Sequence, residues 1–139
     1  MKKTIFAILS SSVFLTACAQ SSAPEAPATT QTTSIMDTQQ ITHPTAKAAF
    51  ESWQNNDSKA WLALFTAKPA LFDDGKPRDF HQFSEQIGKE KFTSIDRVEN
   101  DGTGIIGDFE TPWGKFKTYF RFTIGADGKI SRLDIGQAN

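Results

Sequence analysis

From Lys115 to Ile124 the sequence alternates without a break. Phe116, Thr118, Phe120, Phe122 and Ile124 fall on one parity and Lys115, Lys117, Tyr119, Arg121 and Thr123 on the other. Successive side chains of a β-strand point to opposite faces, so this segment reads as a strand with an aromatic face and a charged face. A strand cannot bury its own aromatic face. The rest of the chain must supply a layer that does.

That layer is written upstream, where the apolar period is 3.6. Ala46, Ala49, Phe50 and Trp53 fall at i, i+3, i+4 and i+7, and Pro44 suits a first helical turn. Asn55-Asn56-Asp57 ends this helix, and Asp57 or Ser58 caps a second one in which Trp61, Leu64 and Phe65 share a face. After a short strand, Leu71-Phe72-Asp73, the run Asp79-Phe80-His81-Gln82 reads as a capping box that opens a third helix. This helix turns Phe80, Phe83 and Ile87 inward and ends at Gly88.

Beyond Gly88 the period switches to 2. Strands are expected at Phe92 to Val98, Thr103 to Glu110, Lys115 to Ile124 and Lys129 to Ile135. The turns between them are Asn100-Asp101-Gly102, Thr111-Pro112-Trp113-Gly114 and Gly125-Ala126-Asp127-Gly128, short enough to make the sheet antiparallel. Gly104 and Gly107 follow no strand-to-helix turn of the kind that cradles phosphate, and they read as a bulge or a close contact in a twisted sheet. The expected class is α+β, with helices on one face of a curved antiparallel sheet. With 12 Phe and 3 Trp against one Tyr, the buried layer is greasy and poor in donors.

The first residues carry a different message. Met1-Lys2-Lys3 is a basic start and Thr4 to Thr16 an apolar and small-residue run, too short to span a bilayer, so residues 1–17 read as an export signal. It ends in Leu15-Thr16-Ala17-Cys18, which resembles the bacterial lipobox. That resemblance implies cleavage before Cys18 and acylation of its sulfur, anchoring the protein to a lipid bilayer. By resemblance to lipoprotein sorting in enteric bacteria, Ala19 in place of Asp implies the periplasmic face of the outer membrane. Residues 18–42 hold the lipidated Cys and a tether rich in Ala, Pro, Ser, Thr and Gln, within which Ile35-Met36 is an isolated apolar pair. The folded domain is expected at 43–139.

Charge and cysteine usage exclude several functions. The formal charge is −1 and no basic cluster exceeds a pair, which argues against nucleic acid. The single Cys makes no internal disulfide. His43 and His81 lack partners at i+3 or i+4, so no metal is implied, and no cofactor motif is present. Trp113, in its Thr-Pro-Trp-Gly turn, reads as a ring folded back over the neighbouring strand, with an exposed contact residue as the alternative.

The stretch from about Thr45 to Gln137 resembles the nuclear transport factor 2 superfamily of cone-shaped folds, which includes SnoaL-like polyketide cyclases and ketosteroid isomerases. The residues that carry the likeness are Phe50-Glu51-Ser52-Trp53, Trp61-Leu62-Ala63-Leu64-Phe65, Leu71-Phe72-Asp73, and the closing Arg121-Phe122 with Asp127-Gly128-Lys129-Ile130. The resemblance implies a cone able to take a small apolar molecule, with Phe116, Thr118, Phe120 and Phe122 as its lining, and dimerisation through the outer sheet face that carries Tyr119 and Arg121. It also places Asp73 at the superfamily's catalytic base, which would make the chain an isomerase, cyclase or dehydratase. The same alignment puts Ala49 and Thr118 where the isomerases carry their oxyanion-holding Tyr and protonated Asp, so the electrostatic part of that chemistry is not implied. From the residues alone, Asp73-Asp74-Gly75-Lys76-Pro77 reads first as a solvated turn, ahead of a polar ligand contact or a catalytic role. The resemblance therefore favours a binding or interaction module.

Overall fold

The computed structural model describes residues 36–139. The export signal, Cys18 and most of the tether lie outside the described residues. A short 3-10 turn, Thr38–Gln40, leads into α1 (Pro44–Gln54) and α2 (Ser58–Ala63). Strands β1 (Phe65–Asp73) and β2 (Lys76–Arg78) follow, then α3 (Phe80–Ser84), β3 (Lys91–Phe92), β4 (Arg97–Glu99), β5 (Gly104–Thr111), β6 (Gly114–Ile124) and β7 (Ile130–Gln137). One seven-stranded sheet runs in the order β2-β1-β7-β6-β5-β3, with β4 also paired to β5, and the three helices pack on its aromatic face. The fold is α+β, as the two periods require.

The helix ends are capped as the sequence indicates. His43 Nδ1 accepts from Thr45 N at 3.3 Å, Asp57 from Ala60 N at 2.9 Å and Asp79 from Gln82 N at 2.7 Å. Ala46, Ala49, Phe50 and Trp53 form the buried face of α1. The second helix is shorter than its pattern suggests: it stops at Ala63, and Phe65 opens β1 instead. The third ends at Ser84, and turns carry the chain on to Gly88 at φ +90°.

Every strand pairing is antiparallel except one. β1 runs parallel to β7, with Leu71 opposite Leu133 and Asp73 opposite Ile135. The chain between them holds α3 and the other five strands, so the two strands can meet in parallel without a tight turn. The strand expected over Phe92 to Val98 divides into β3 and β4 because residues 94–96 bulge. Thr93 N still donates to Asp108 O and Asp96 N to Ile106 O, both at 2.8 Å, while Ser94 Oγ takes the intervening Asp108 N–H at 3.1 Å. Gly107 faces this bulge at such close range that a Cβ would collide with the Ser94 carbonyl oxygen.

The core is a chain of rings. Trp53 stacks on Phe83 at 4.8 Å between centroids and meets Trp61 and Phe120 edge-on at 5.0 and 5.5 Å. Trp61 Nε1 donates to Ser84 Oγ at 3.0 Å, and that hydroxyl donates to Phe80 O at 2.8 Å. Trp53 Nε1, by contrast, is buried without an acceptor.

The packed body also begins earlier than residue 43. Ile41, expected in the tether, is buried in the core, and Met36 packs against it. Thr38 Oγ1 donates to Glu51 Oε1 at 3.1 Å and fastens the approach to α1.

Candidate functional site

Where β1 and β7 end and the β5–β6 hairpin turns, the helices cover the aromatic face only in part, through Trp53 of α1 and Phe83 of α3. A cavity of about 530 Å3 opens there, walled by Phe83, Phe109, Phe116, Phe120 and Trp113. Polar groups ring the same space: Asp73, Asp74, Arg78, Glu90 and Thr118.

Each polar group is placed by a local device. Asp73 closes β1 and faces Lys76 across a tight turn in which Asp74 and Gly75 take φ +48° and +81°. From β2, Arg78 returns its guanidinium to Asp73, with Nη1 2.7 Å from Oδ2, and holds its Cζ 5.2 Å from the centroid of the Phe83 ring. Asp74 turns away from this pair; its Oδ1 accepts from Gln137 N at 3.0 Å. That contact needs Gly136, since a Cβ there would strike the Asp74 carboxylate.

Glu90 has no such arrangement. The residue is only 8 % exposed, and among the described residues its carboxylate has no hydrogen-bond or ion-pair partner, although its oxygens are not sealed from solvent. Burial pushes its carboxyl above the usual range. The nearby Arg78 opposes that shift and Asp73 reinforces it. Glu90 lines the cavity together with Arg78 and Asp73.

Phe116, Thr118 and Phe120 stand on the cavity wall, whereas Phe122 does not. Its ring lies one pair further along β6, in the closed end, 6.3 Å from Trp61 and 6.5 Å from Phe65 between centroids. Asp73 is both the strand end and the flank of the turn. Its carboxylate is already neutralised by Arg78. Ala49 is sealed in the core, and the single hydroxyl proton of Thr118 is given to Gly136 O at 2.6 Å. Neither position offers a donor to a developing oxyanion.

Two features of the site escape sequence reasoning. Lys89-Glu90-Lys91 reads as a solvated charge run, yet the left-handed turn at Gly88 rotates its middle residue inward. Trp113 does not fold back as expected: Thr111 Oγ1 accepts Trp113 N and donates to Gly114 O, both at 3.1 Å, and the ring is left 80 % exposed at the cavity mouth.

The outer sheet face carries its own counter-charges. Lys117 pairs with Asp96 and, at 2.8 Å, with Asp108; Arg121 meets Glu99 at 2.8 Å and Arg132 meets Asp134 at 2.7 Å. Arg121 lies 4.3 Å over the Tyr119 ring and Arg132 4.1 Å over Phe72. What the sequence presents as a basic ridge is a neutral lattice of ion pairs and stacked rings.

Solved structures share this architecture at low sequence identity. An NTF2-like protein of unknown function from Cytophaga hutchinsonii superposes with a TM-score of 0.56 at 10% identity, over 74% of this chain and 91% of that one. A candidate polyketide cyclase from Xanthomonas campestris gives 0.53 at 16% identity, over 73% and 93%. The chain has an NTF2-like fold. The Orange Carotenoid Protein of Anabaena (Nostoc), solved binding canthaxanthin, contains the fold as one part: the match has a TM-score of 0.53 at 19% identity over 67% of this chain, and spans only 35% of the carotenoid protein. No protein-family model matches the sequence, and no curated protein matches it.

Proposed function

We propose that this protein is a lipid-anchored envelope protein whose NTF2-like domain holds a small, largely apolar molecule in the cavity at the open end of its cone. The observation that carries the binding reading is the cavity itself. At about 530 Å3, with ring walls and a few convergent polar groups, it has the size and make-up of a small-molecule site. The carotenoid protein, which binds an apolar ligand, supports the choice of ligand class, since it contains the same fold. Catalysis has less support, because Asp73 is tied to Arg78 and the oxyanion positions are empty of donors.

Native mass spectrometry of the protein purified from its own membranes should show an adduct of a few hundred daltons; a bare chain from several growth conditions would overturn the reading. The anchor rests on Lys2-Lys3, the apolar run and the Leu15–Cys18 box. Cys18→Ala should abolish acylation and release the protein from membranes, and retention of the variant would remove the anchor from the proposal. Self-association through the outer face would rest on the Tyr119 and Phe72 rings, since the charges there are already matched. Sedimentation should show a dimer that Tyr119→Ala dissociates, and a monomeric parent protein would rule it out.

A further inference from the structure

We propose that the cavity binds a lipophilic organic cation, an amine or quaternary ammonium group with apolar substituents, with Glu90 as its counter-ion and the Phe109, Phe116 and Trp113 rings as its walls. This rests on the reading of the cavity as a binding site and adds the charge of what it takes.

The charge balance of the wall carries the argument. Three carboxylates, Asp73, Asp74 and Glu90, line the cavity against two cations, Arg78 and Lys115. Arg78 is bound to Asp73 at 2.7 Å, and Lys115 is largely exposed and 3.7 Å from Glu110. Asp74 has its hydrogen bond from Gln137 N. Glu90 is left as the one carboxylate on this wall that is largely shielded by its surroundings and has no bonded partner among the described residues. Partial desolvation of an unpaired charge carries a cost, and the burial that lifts its carboxyl above the usual range expresses it. A cation entering the cavity would remove it.

The rings point the same way. Aromatic faces carry partial negative charge and attract a cation most strongly where water is excluded. The site already shows this chemistry within the chain, since the Arg78 guanidinium sits over the Phe83 ring at 5.2 Å. Phe109 and Phe116 lie 6.0 Å apart between centroids at 60°, leaving ring surface toward the cavity, and Trp113 stands unshielded at its mouth. An anionic ligand would instead meet Glu90 and Asp74, with a committed arginine and the largely solvated Lys115 in return.

The test is a pair of isosteres, benzyltrimethylammonium and neopentylbenzene, which differ in the charge of one atom. They would be titrated by ligand-observed NMR into the chain from residue 18 onward, carrying Cys18→Ser so that no acyl chain enters the cavity. The cation should bind about tenfold more tightly than its carbon isostere, a preference of the size expected for a partly desolvated cation–ring contact. Glu90→Gln should cut the preference severalfold, leaving only the share the rings supply, with circular dichroism confirming the fold; an undiminished preference would overturn the counter-ion role of Glu90. Arg78→Gln, which removes the competing positive charge, should tighten the cation severalfold. Equal affinity for the two compounds would overturn the cation inference and leave the binding reading intact. Failure of both compounds to bind would overturn the two together.

Discussion

The two ends of the cone are built from the same sheet face and the same residue type, yet one is solid and the other hollow. At the closed end, Trp61, Phe65, Phe80 and Phe122 interlock beneath α2 and α3, and the polar indole edge of Trp61 finds Ser84. At the open end, Phe109 and Phe116 continue the same alternation, but α3 is only five residues long and does not reach them. The strands outrun the helices. The difference shows that a cavity here needs no special residue, only a cover shorter than the surface it covers.

If that contrast is right, the largest effect belongs to the closed end. Trp61→Ala should cost about 3–5 kcal/mol in chemical denaturation, the range for deleting a packed aromatic, while Trp113→Ala stays within about 0.5 kcal/mol. Comparable losses for the two would break the comparison. Next in size, Ser84→Ala leaves the buried Trp61 Nε1 without its acceptor and should cost about 1–3 kcal/mol.

A smaller effect, of opposite sign, is expected at the open end. Because Glu90 has a raised pKa in the folded state, the folded chain holds its proton more tightly than the unfolded chain, and stability falls as pH rises from about 4.5 through that raised value. The groups that bias it are Arg78 on β2, Asp73 on β1 and the adjacent Lys89. Glu90→Gln should therefore be more stable than the parent at neutral pH and lose its advantage at acid pH, as thermal melts across pH would show. The smallest effect belongs to the solvated outer face, where hydrogen bonds from Lys117 and Ser94 hold Asp96 below its usual value. Its contribution is present above the ordinary carboxylate range and is lost as pH falls through the lowered value. Asp96→Asn should flatten only that acid limb of the same melts.

Much of the closed end was legible in the sequence. The α1 stripe, the caps at Asp57 and Asp79 and the β6 alternation each depend on residues close in the chain, where spacing and local hydrogen bonding decide the outcome. The bulge at Ser94 could be anticipated only from its partner, Gly107, three strand positions from a turn. Ile41 was hidden in a polar segment, since one buried side chain has no period. The open end was least legible. Phe116, Thr118 and Phe120 follow from strand parity and Asp73 from the family resemblance, but Glu90, Arg78 and the exposed Trp113 meet only after the β1–β2 turn, the Gly88 turn and the β5–β6 hairpin have each bent the chain toward one point.

The parallel pairing of β1 with β7 has a consequence for how the protein comes into being. The last strand lies inside the sheet, between β1 and β6, so an emerging chain cannot join its two halves until residues 130–137 are free. Before then β1–β2 has no partner beyond itself, and a lone hairpin is marginal in water. The contacts that close the sheet span more than half the described chain, and such long-range closure is slow. A polypeptide that stays open until its final residues arrive remains threadable, which is the state in which a chain can be passed through a narrow channel.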